Sequence, residues 1–350
     1  MRKTAILFGC LLLIACKGVA QHDTLPSFRD TLAVYEGLFT ETEPLHLTLK
    51  FDLKNFQRTR RQEKYQPAQM TCHMCDSFSV THPVRVKARG NFRRDNCTLP
   101  PFWLNIRHSG IEAPALEGLK RMKMVVRCRH SPEYEAYVLR EYLVYRIYQI
   151  VSPYSFRVRL VRLRLVDTGR KDRVTEDWAF LIEPEALLAR RLGGQVVKSD
   201  RLAMATVNRE VMDLLAMFNY MIGNCDYSVT GRQNLKIIAL DGPGPSGFIP
   251  VPYDFDYTGL VNTHYAVPGE ALGIKTVRER YYLGLCGSRE RHLSVIRELE
   301  SYREKISRLI LDFEYLDDME KMDMVAFIQS YFNAAQKEKF IDREIMSTCR

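Results

Sequence analysis

Four oxygen-bearing side chains in one stretch could do chemistry together: Asp226, Asn234, Asp254 and Asp256. They belong to the run GNCDYSVTGRQNLKIIALDGPGPSGFIPVPYDFDYTG, residues 223–259. Within it, apolar runs at 235–240 and 248–251 flank a loop of Asp, Gly, Pro and Ser at 241–247. Short β-prone runs around such a loop predict an antiparallel hairpin. The residue entering the first strand and the residue leaving the second then share one end. Asn234 therefore falls beside Asp254 and Asp256, and Asp226 approaches from the preceding loop. Three carboxylates and an amide at one open end make an all-oxygen site. Such a site suits a hard cation, Mg2+ or Mn2+, shared with phosphate oxygens. A plainer reading stands beside it, in which Asp254 and Asp256 cap a helix or pair with the chain's many arginines.

The order of acid, amide, strand, turn, strand and acid resembles the catalytic core of kinases. With PVPYDFD at 250–256 and ARGNFRR at 88–94, the chain resembles the CotH-type atypical kinases, within them an extracytoplasmic branch. The resemblance spans roughly residues 40–300. One departure from ordinary protein kinases is the spacing from Asp226 to Asn234, eight positions instead of five. The resemblance implies an α+β, protein-kinase-like two-lobed fold. Its N-terminal lobe, 21–183, would be a mainly antiparallel sheet with one helix. Its C-terminal lobe, 184–350, would be mainly helical and carry the hairpin. ATP or another nucleotide with Mg2+ or Mn2+ is implied as cofactor. Asp254 would bind the metal bridging the nucleotide phosphates, Asp256 or Asn234 would support a second ion, and Asp226 would orient or deprotonate an accepting hydroxyl.

The elements that must position these groups follow from periodicity. Alternation at 45–51, 84–88 and 102–106 predicts strands. The 54–66 stretch reads as a surface loop or short helix. Residues 122–126 form a strand carrying Lys123. Ser131-Pro132-Glu133 then supplies an N-cap, a first-turn proline and an acid, opening a helix to about 150. Val138, Tyr142, Tyr145 and Tyr148 make its packing stripe. By the resemblance, Lys123 (or Lys120) would contact phosphates and Glu141 would orient it; on its own residues Glu141 reads first as an ordinary surface charge beside Arg140. Arg89-Gly90-Asn91-Phe92-Arg93-Arg94 reads as a solvated basic hairpin or as a phosphate clamp, in which Gly90 permits close approach and Arg89, Arg93 and Arg94 supply charge. Arginines at 157 and 159, then 162 and 164, suggest a strand pair or one bulged strand over 155–166. After a strand at 178–182, Glu183-Pro184-Glu185 resembles the connection between kinase lobes where adenine bonds to backbone, and a helix follows at 186–192. An amphipathic helix at 207–222 ends at Gly223 and presents Asn224 and Asp226. Residues 261–268 form a loop over the site. Helices are predicted at 277–285, 289–311 and 317–339 as scaffold.

Composition bounds the rest. The 350 residues, 46% hydrophobic and 27% charged, fit a globular protein. Arg2 and Lys3 precede an apolar stretch at 5–15 and a cleavage site after Ala20, so residues 1–20 read as a secretory signal. Leu13-Ile14-Ala15-Cys16 also fits a lipobox, which would tether the chain to a membrane through Cys16. Removing Arg2, Lys3 and Lys17 lowers the formal charge from +9 to +6. The clustered basic residues, without a nucleic-acid motif, favour a phosphorylated ligand over DNA. Seven cysteines remain after residue 20. Cys97 and Cys128, near the ends of neighbouring strands, could pair. Cys72-His73-Met74-Cys75 reads as part of a disulfide framework, a zinc site or a redox pair, in that order.

Two functions follow. One is a kinase-like phosphotransferase that modifies a protein hydroxyl or a small polar acceptor outside the cytoplasm. The other is a non-catalytic, pseudokinase-like envelope protein that binds an anionic or phosphorylated ligand. Scarce ATP outside bacterial cytoplasm weighs against the first.

Overall fold

A computed structural model describes residues 38–75, 78–106, 119–199, 202–242 and 247–350. The expected signal at 1–20, Cys16 of the alternative lipobox and part of the 241–247 loop lie outside the described residues.

The N-terminal half is organised by strands β1 (Leu45–Phe51), β2 (Gln66–Cys75), β3 (Phe78–Ala88), β4 (Phe102–Ile106), β5 (Arg121–Val126), β6 (Val158–Asp167) and β7 (Arg173–Ile182). They close into a barrel in the order β1-β2-β3-β4-β5-β7-β6. The sequence predicts a mainly antiparallel sheet. The structure agrees in six of the seven pairings and adds what the sequence does not predict, a parallel pairing of β1 with β6 that closes the ring. Closure buries one face of every strand and removes the exposed sheet edges. Leu47, Leu49, Val86, Phe102, Leu104, Met122, Met124 and Leu163 fill the interior. Each contributes roughly 1.5–3 kcal/mol by leaving water, which is why alternation holds along these strands. The CxxC lies at the end of β2, a strand hidden in the sequence by Pro67 and small polar residues. Cys72 is a free buried thiol. Burial pushes its pKa up to about 12, as for a thiol packed in an apolar core.

The 155–166 arginines need neither a bulge nor a strand pair. β6 runs against β7 in unbroken register from Val158↔Ile182 to Asp167↔Arg173. Arg159 shares the inward parity of Val161, Leu163 and Leu165, and at the barrel mouth it pairs with Glu41 at 2.8 Å. Arg162 and Arg164 take the outward parity.

The helices are α1 (Leu53–Thr59), α2 (Phe92–Asn96), α3 (Pro132–Val151), α4 (Glu185–Arg191), α5 (Arg209–Met221), α6 (Arg289–Ser301), α7 (Arg303–Leu311) and α8 (Asp318–Ala335). β8 (Gly194–Val196), β9 (Leu235–Leu240) and β10 (Ile249–Pro252) form a small antiparallel sheet in the order β10-β9-β8. A second core gathers α3, the outward Val125, Leu160 and Phe180 of the barrel, and the apolar faces of α5, α6, α7 and α8. α3 is thus covered on nearly every side, far beyond the one stripe of an amphipathic helix. The 277–285 segment is irregular where the sequence predicts a helix. There Arg280 donates to the backbone oxygens of Met221 at 3.0 Å and Phe327 at 2.6 Å, and Tyr282 is fully buried. An unwound segment lets Arg280 bridge α5 and α8 while Tyr282 packs on Tyr220 of α5 and His292 of α6, and the Cys286–Cys349 disulfide pins its end.

Candidate active site

β9 and β10 pair antiparallel, with Leu235 opposite Pro252. The next backbone bond, from Tyr253 N–H to the Asn234 carbonyl at 3.0 Å, brings Asn234 to the edge of Asp254. Two non-glycine residues here have left-handed backbones, Asn234 at φ +51° and Asp254 at φ +67°. Such conformations cost on the order of 1 kcal/mol each and mark positions the surroundings hold in place. Asp254 is held by its own N–H, which donates to the Tyr145 hydroxyl at 2.8 Å.

Asp226 is built from α5. The helix is capped by Asn208 Oδ1, which accepts from Val211 N–H at 2.9 Å, and it ends where Gly223 turns left-handed. Asn224 then locks the loop: its Nδ2 donates to Asn219 Oδ1 and its Oδ1 accepts the Asp226 N–H, both at 2.9 Å. The Asp226 carboxylate receives Asn234 Nδ2 at 2.8 Å and a short bond from Gln233. Burial, with the Asp254 charge second, pushes the Asp226 carboxyl up to about 6 despite those two donors.

Asp256 takes a different role from Asp254. The turn at Asp254 sends Asp256 inward, where it is 7% exposed. Its carboxylate accepts the Tyr265 hydroxyl at 3.1 Å and lies 3.8 Å from Arg93, and its backbone oxygen accepts from Thr263 at 3.0 Å. Burial and Asp254 push it up to about 6. Arg93 also lies 3.7 Å from the buried Glu141 and donates to the Val126 carbonyl. Burial opposes the Arg93 charge, yet Tyr265, Asp256, Glu141 and Asp254 outweigh it and raise its pKa. Burial and Asp256 in turn raise that of Glu141.

This corrects two expected roles. Glu141 pairs with Arg93, and among the described residues Lys123 enters no ion pair within 4.0 Å. Arg93 is a buried keystone and not a phosphate clamp. Arg94 turns to Glu63 at 3.1 Å, away from the acids. Arg89 lies on Trp103 and is close enough to depress Lys123 and Tyr253. Lys123 rests its ammonium 3.8 Å from the Tyr253 ring centroid. Burial, then Arg89, lowers its pKa to about 7 against the pull of Asp254. Beside it opens a cavity of about 260 Å3, lined by Trp103, Lys123, Phe156 and the 183–186 connection. Glu183 itself is bound to Arg191 at 2.8 Å; its N–H donates to the Arg157 carbonyl at 2.9 Å and the Pro184 carbonyl accepts from Leu187 and Leu188.

Among the described residues, no three His, Cys, Asp or Glu side chains gather closely enough to hold a metal ion by themselves. The expected convergence of three carboxylates is therefore reduced. Asp254 raises the pKa of both Asp226 and Asp256, but Asp256 is committed to Arg93 and Tyr265. Asp254 alone among the three accepts no hydrogen bond and enters no ion pair from described residues. One or two carboxylates with an amide oxygen fit Mg2+, which keeps the rest of its shell for water and phosphate. They do not fit a protein-only cage. Gln233, Tyr145, Tyr253 and Tyr265 were not legible as site residues; only adjacency to Asn234 and a place within PYDFD signal two of them, Gln233 and Tyr253.

No protein family matches the sequence, and no curated protein does. Among solved structures, the chain is similar to the proinflammatory kinase CtkA of Helicobacter pylori, at 8% identity and a TM-score of 0.39, over 74% of this chain and 95% of that one. A likeness this slight assigns neither a family nor an activity.

Proposed function

We propose that the chain is a kinase-like phosphotransferase that uses a metal–nucleotide complex to modify a hydroxyl on a protein or small polar acceptor. The observation that carries the reading is the placement of one unpartnered carboxylate, Asp254, between Asp226 and the cavity mouth at Lys123. Asp254, with the Asn234 amide oxygen, would hold Mg2+ or Mn2+, which when bound would neutralise charge on the nucleotide phosphates. Lys123 would add one cation at the phosphates, and the 183–186 backbone would face the base. Asp226, near pKa 6, is poised to accept a proton from an acceptor hydroxyl at neutral pH. Phosphoryl transfer asks a protein mainly for placement and charge neutralisation, and these groups supply both. The disulfides Cys97–Cys128 and Cys286–Cys349 fit an oxidising compartment, and no helix among the described residues is long and apolar enough to cross a membrane.

The test is thermal melting with ATP and Mn2+, followed by incubation with γ-labelled ATP. A ligand at 100 times its Kd stabilises by about 2.7 kcal/mol, so a clear upward shift is expected. Asp254→Asn should abolish it. Asp226→Asn should keep the shift and lose label transfer. A shift without transfer in the wild type moves the chain to the pseudokinase-like reading. A shift that survives Asp254→Asn, or none with any nucleotide, refutes the site.

A further inference from the structure

We propose that the outer wall of the barrel is a docking surface for an anionic polysaccharide, a saccharide chain bearing carboxylates or sulfates. The inference rests on β3, β4 and β5 and stands whether or not Asp254 serves a nucleotide. Register places Lys87, Trp103 and Lys123 in one row across the sheet, and Arg85, Asn105 and Arg121 in the next. All six take the outward parity, since their neighbours Val86, Leu104 and Met122 fill the barrel. Arg89 continues the parity beyond β3. Two rings are interleaved with these cations. The Arg121 guanidinium lies 4.3 Å, Arg89 5.6 Å and Lys123 5.8 Å from the Trp103 ring centroid. Arg85 and Lys87 each lie 5.4 Å from that of Tyr65.

Some exposed arginines elsewhere have acids: Arg61 with Asp95 at 2.9 Å, Arg289 with Asp342 at 2.9 Å, Arg308 with Glu304 at 3.2 Å. On this wall, Arg85, Lys87, Arg89, Arg121 and Lys123 enter no ion pair within 4.0 Å among the described residues. The chain has gathered like charges here with acids only beyond ion-pair distance, Glu185 acting on Arg121 and Lys123 and Asp254 on Lys123, and an external polyanion would lower their mutual repulsion. The strip crosses three strands, about 10 Å at roughly 4.8 Å per strand, and runs about 13 Å along β3 and just beyond it. That exceeds one triphosphate and suits an extended polymer.

The chemistry of the polymer follows from what the wall withholds. Its rings already carry cations, so bases have little free face to stack on, which disfavours single-stranded nucleic acid. The barrel is closed, so an acidic peptide cannot dock by adding a strand. Two disulfides fit an oxidising compartment, which favours an extracellular saccharide over an intracellular nucleic acid.

The test measures heparin binding across salt concentration for the wild type and for Arg85→Gln/Lys87→Gln/Arg121→Gln. A control, Arg297→Gln/Lys305→Gln/Lys339→Gln, removes equal charge from exposed positions on the helical side. The wall variant should bind roughly tenfold or more weakly at about 0.1 M salt and lose about one unit of log–log salt slope per contacted cation; the control should stay within about twofold. Arg85→Lys/Arg121→Lys should retain binding, which separates charge from folding. Equal losses in both triple variants, or no heparin binding by the wild type, overturn the proposal. So does a single-stranded oligonucleotide or polyglutamate that binds through the same three residues more tightly than heparin.

Discussion

Arg93 is the single side chain whose loss should cost most, and the cost should depend on pH in a calculable way. It sits between Glu141 at 3.7 Å and Asp256 at 3.8 Å and donates to Val126. Arg93→Met keeps most of the volume and removes the charge, leaving two buried carboxylates near one another. Breaking a buried pair from one side costs about 3–5 kcal/mol. The carboxyls can limit the damage by taking up protons. At about 1.4 kcal/mol per pH unit, neutralising a carboxyl of ordinary pKa 4.5 at pH 7 costs about 3 kcal/mol, so one protonation already fits that range. Glu141 and Asp256 are both raised in the folded protein, and the variant should raise them further. A carboxyl raised on folding binds protons more tightly in the native state. Its contribution is complete below the unfolded value, about 4, and fades as pH climbs through the folded one. Urea unfolding with chelator should therefore show a penalty of about 4 kcal/mol at pH 7 that shrinks to about 1–2 kcal/mol at pH 4.5, the remainder being the lost bond to Val126 and imperfect packing. A penalty below about 1 kcal/mol at pH 7, or one unchanged between the two pH values, would show that Glu141 and Asp256 do not depend on this cation.

In the free protein Asp226 must be ionised and Lys123 protonated, with values near 6 and 7; kcat/KM for label transfer should rise through about pH 6 and fall through about pH 7, and a plateau from 6 to 9 would remove Lys123 from the assignment. Gly259→Ala would set a Cβ 2.4 Å from the Val277 carbonyl oxygen and 2.9 Å from Phe327, so it should destabilise by about 2 kcal/mol or more by chemical denaturation. Asp254→Gly relieves a left-handed residue and the repulsion it imposes on Asp226 and Asp256; a gain of about 1 kcal/mol in stability, with metal–nucleotide binding lost, is expected. Replacing Cys97 and Cys128 by Ala opens a closed loop with sequence separation 31 and should cost about 3–4 kcal/mol on loop entropy; unchanged unfolding under oxidising and reducing conditions would contradict it.

The hairpin was legible because everything it needs is local: two β-prone runs, a loop rich in Gly and Pro, and a register fixed by length. α5 was legible for the same reason. The barrel was not, since its closure depends on Leu45–Phe51 meeting Val161–Asp167 more than 100 residues away, and no local pattern specifies a parallel partner. Arginine sites misled for a related reason. In sequence, Arg93 and Arg94 are adjacent equals, but on α2 neighbouring residues point about 100° apart, sending Arg93 to Glu141 and Arg94 to Glu63. The 277–285 segment carries helix-like apolar spacing, and its side chains are indeed buried; what the spacing could not show is that Arg280 and Tyr282 reach their partners only from an unwound backbone.

The divergence of Asp254 and Asp256 shows how the fold converts a local motif into separated duties. Two acids two residues apart on an extended strand would face the same side. The left-handed turn at Asp254 breaks that parity, so Asp256 enters the core and Asp254 stays at the surface of the cleft. Once inside, Asp256 needs a cation, and Arg93 provides it while also binding Glu141 on α3 and Val126 at the end of β5. The network thereby ties the loop after β10 to the barrel. The charge that holds the two halves of the site together is spent in that network, which leaves Asp254 as the one acid of the motif with nothing from the described protein to neutralise it.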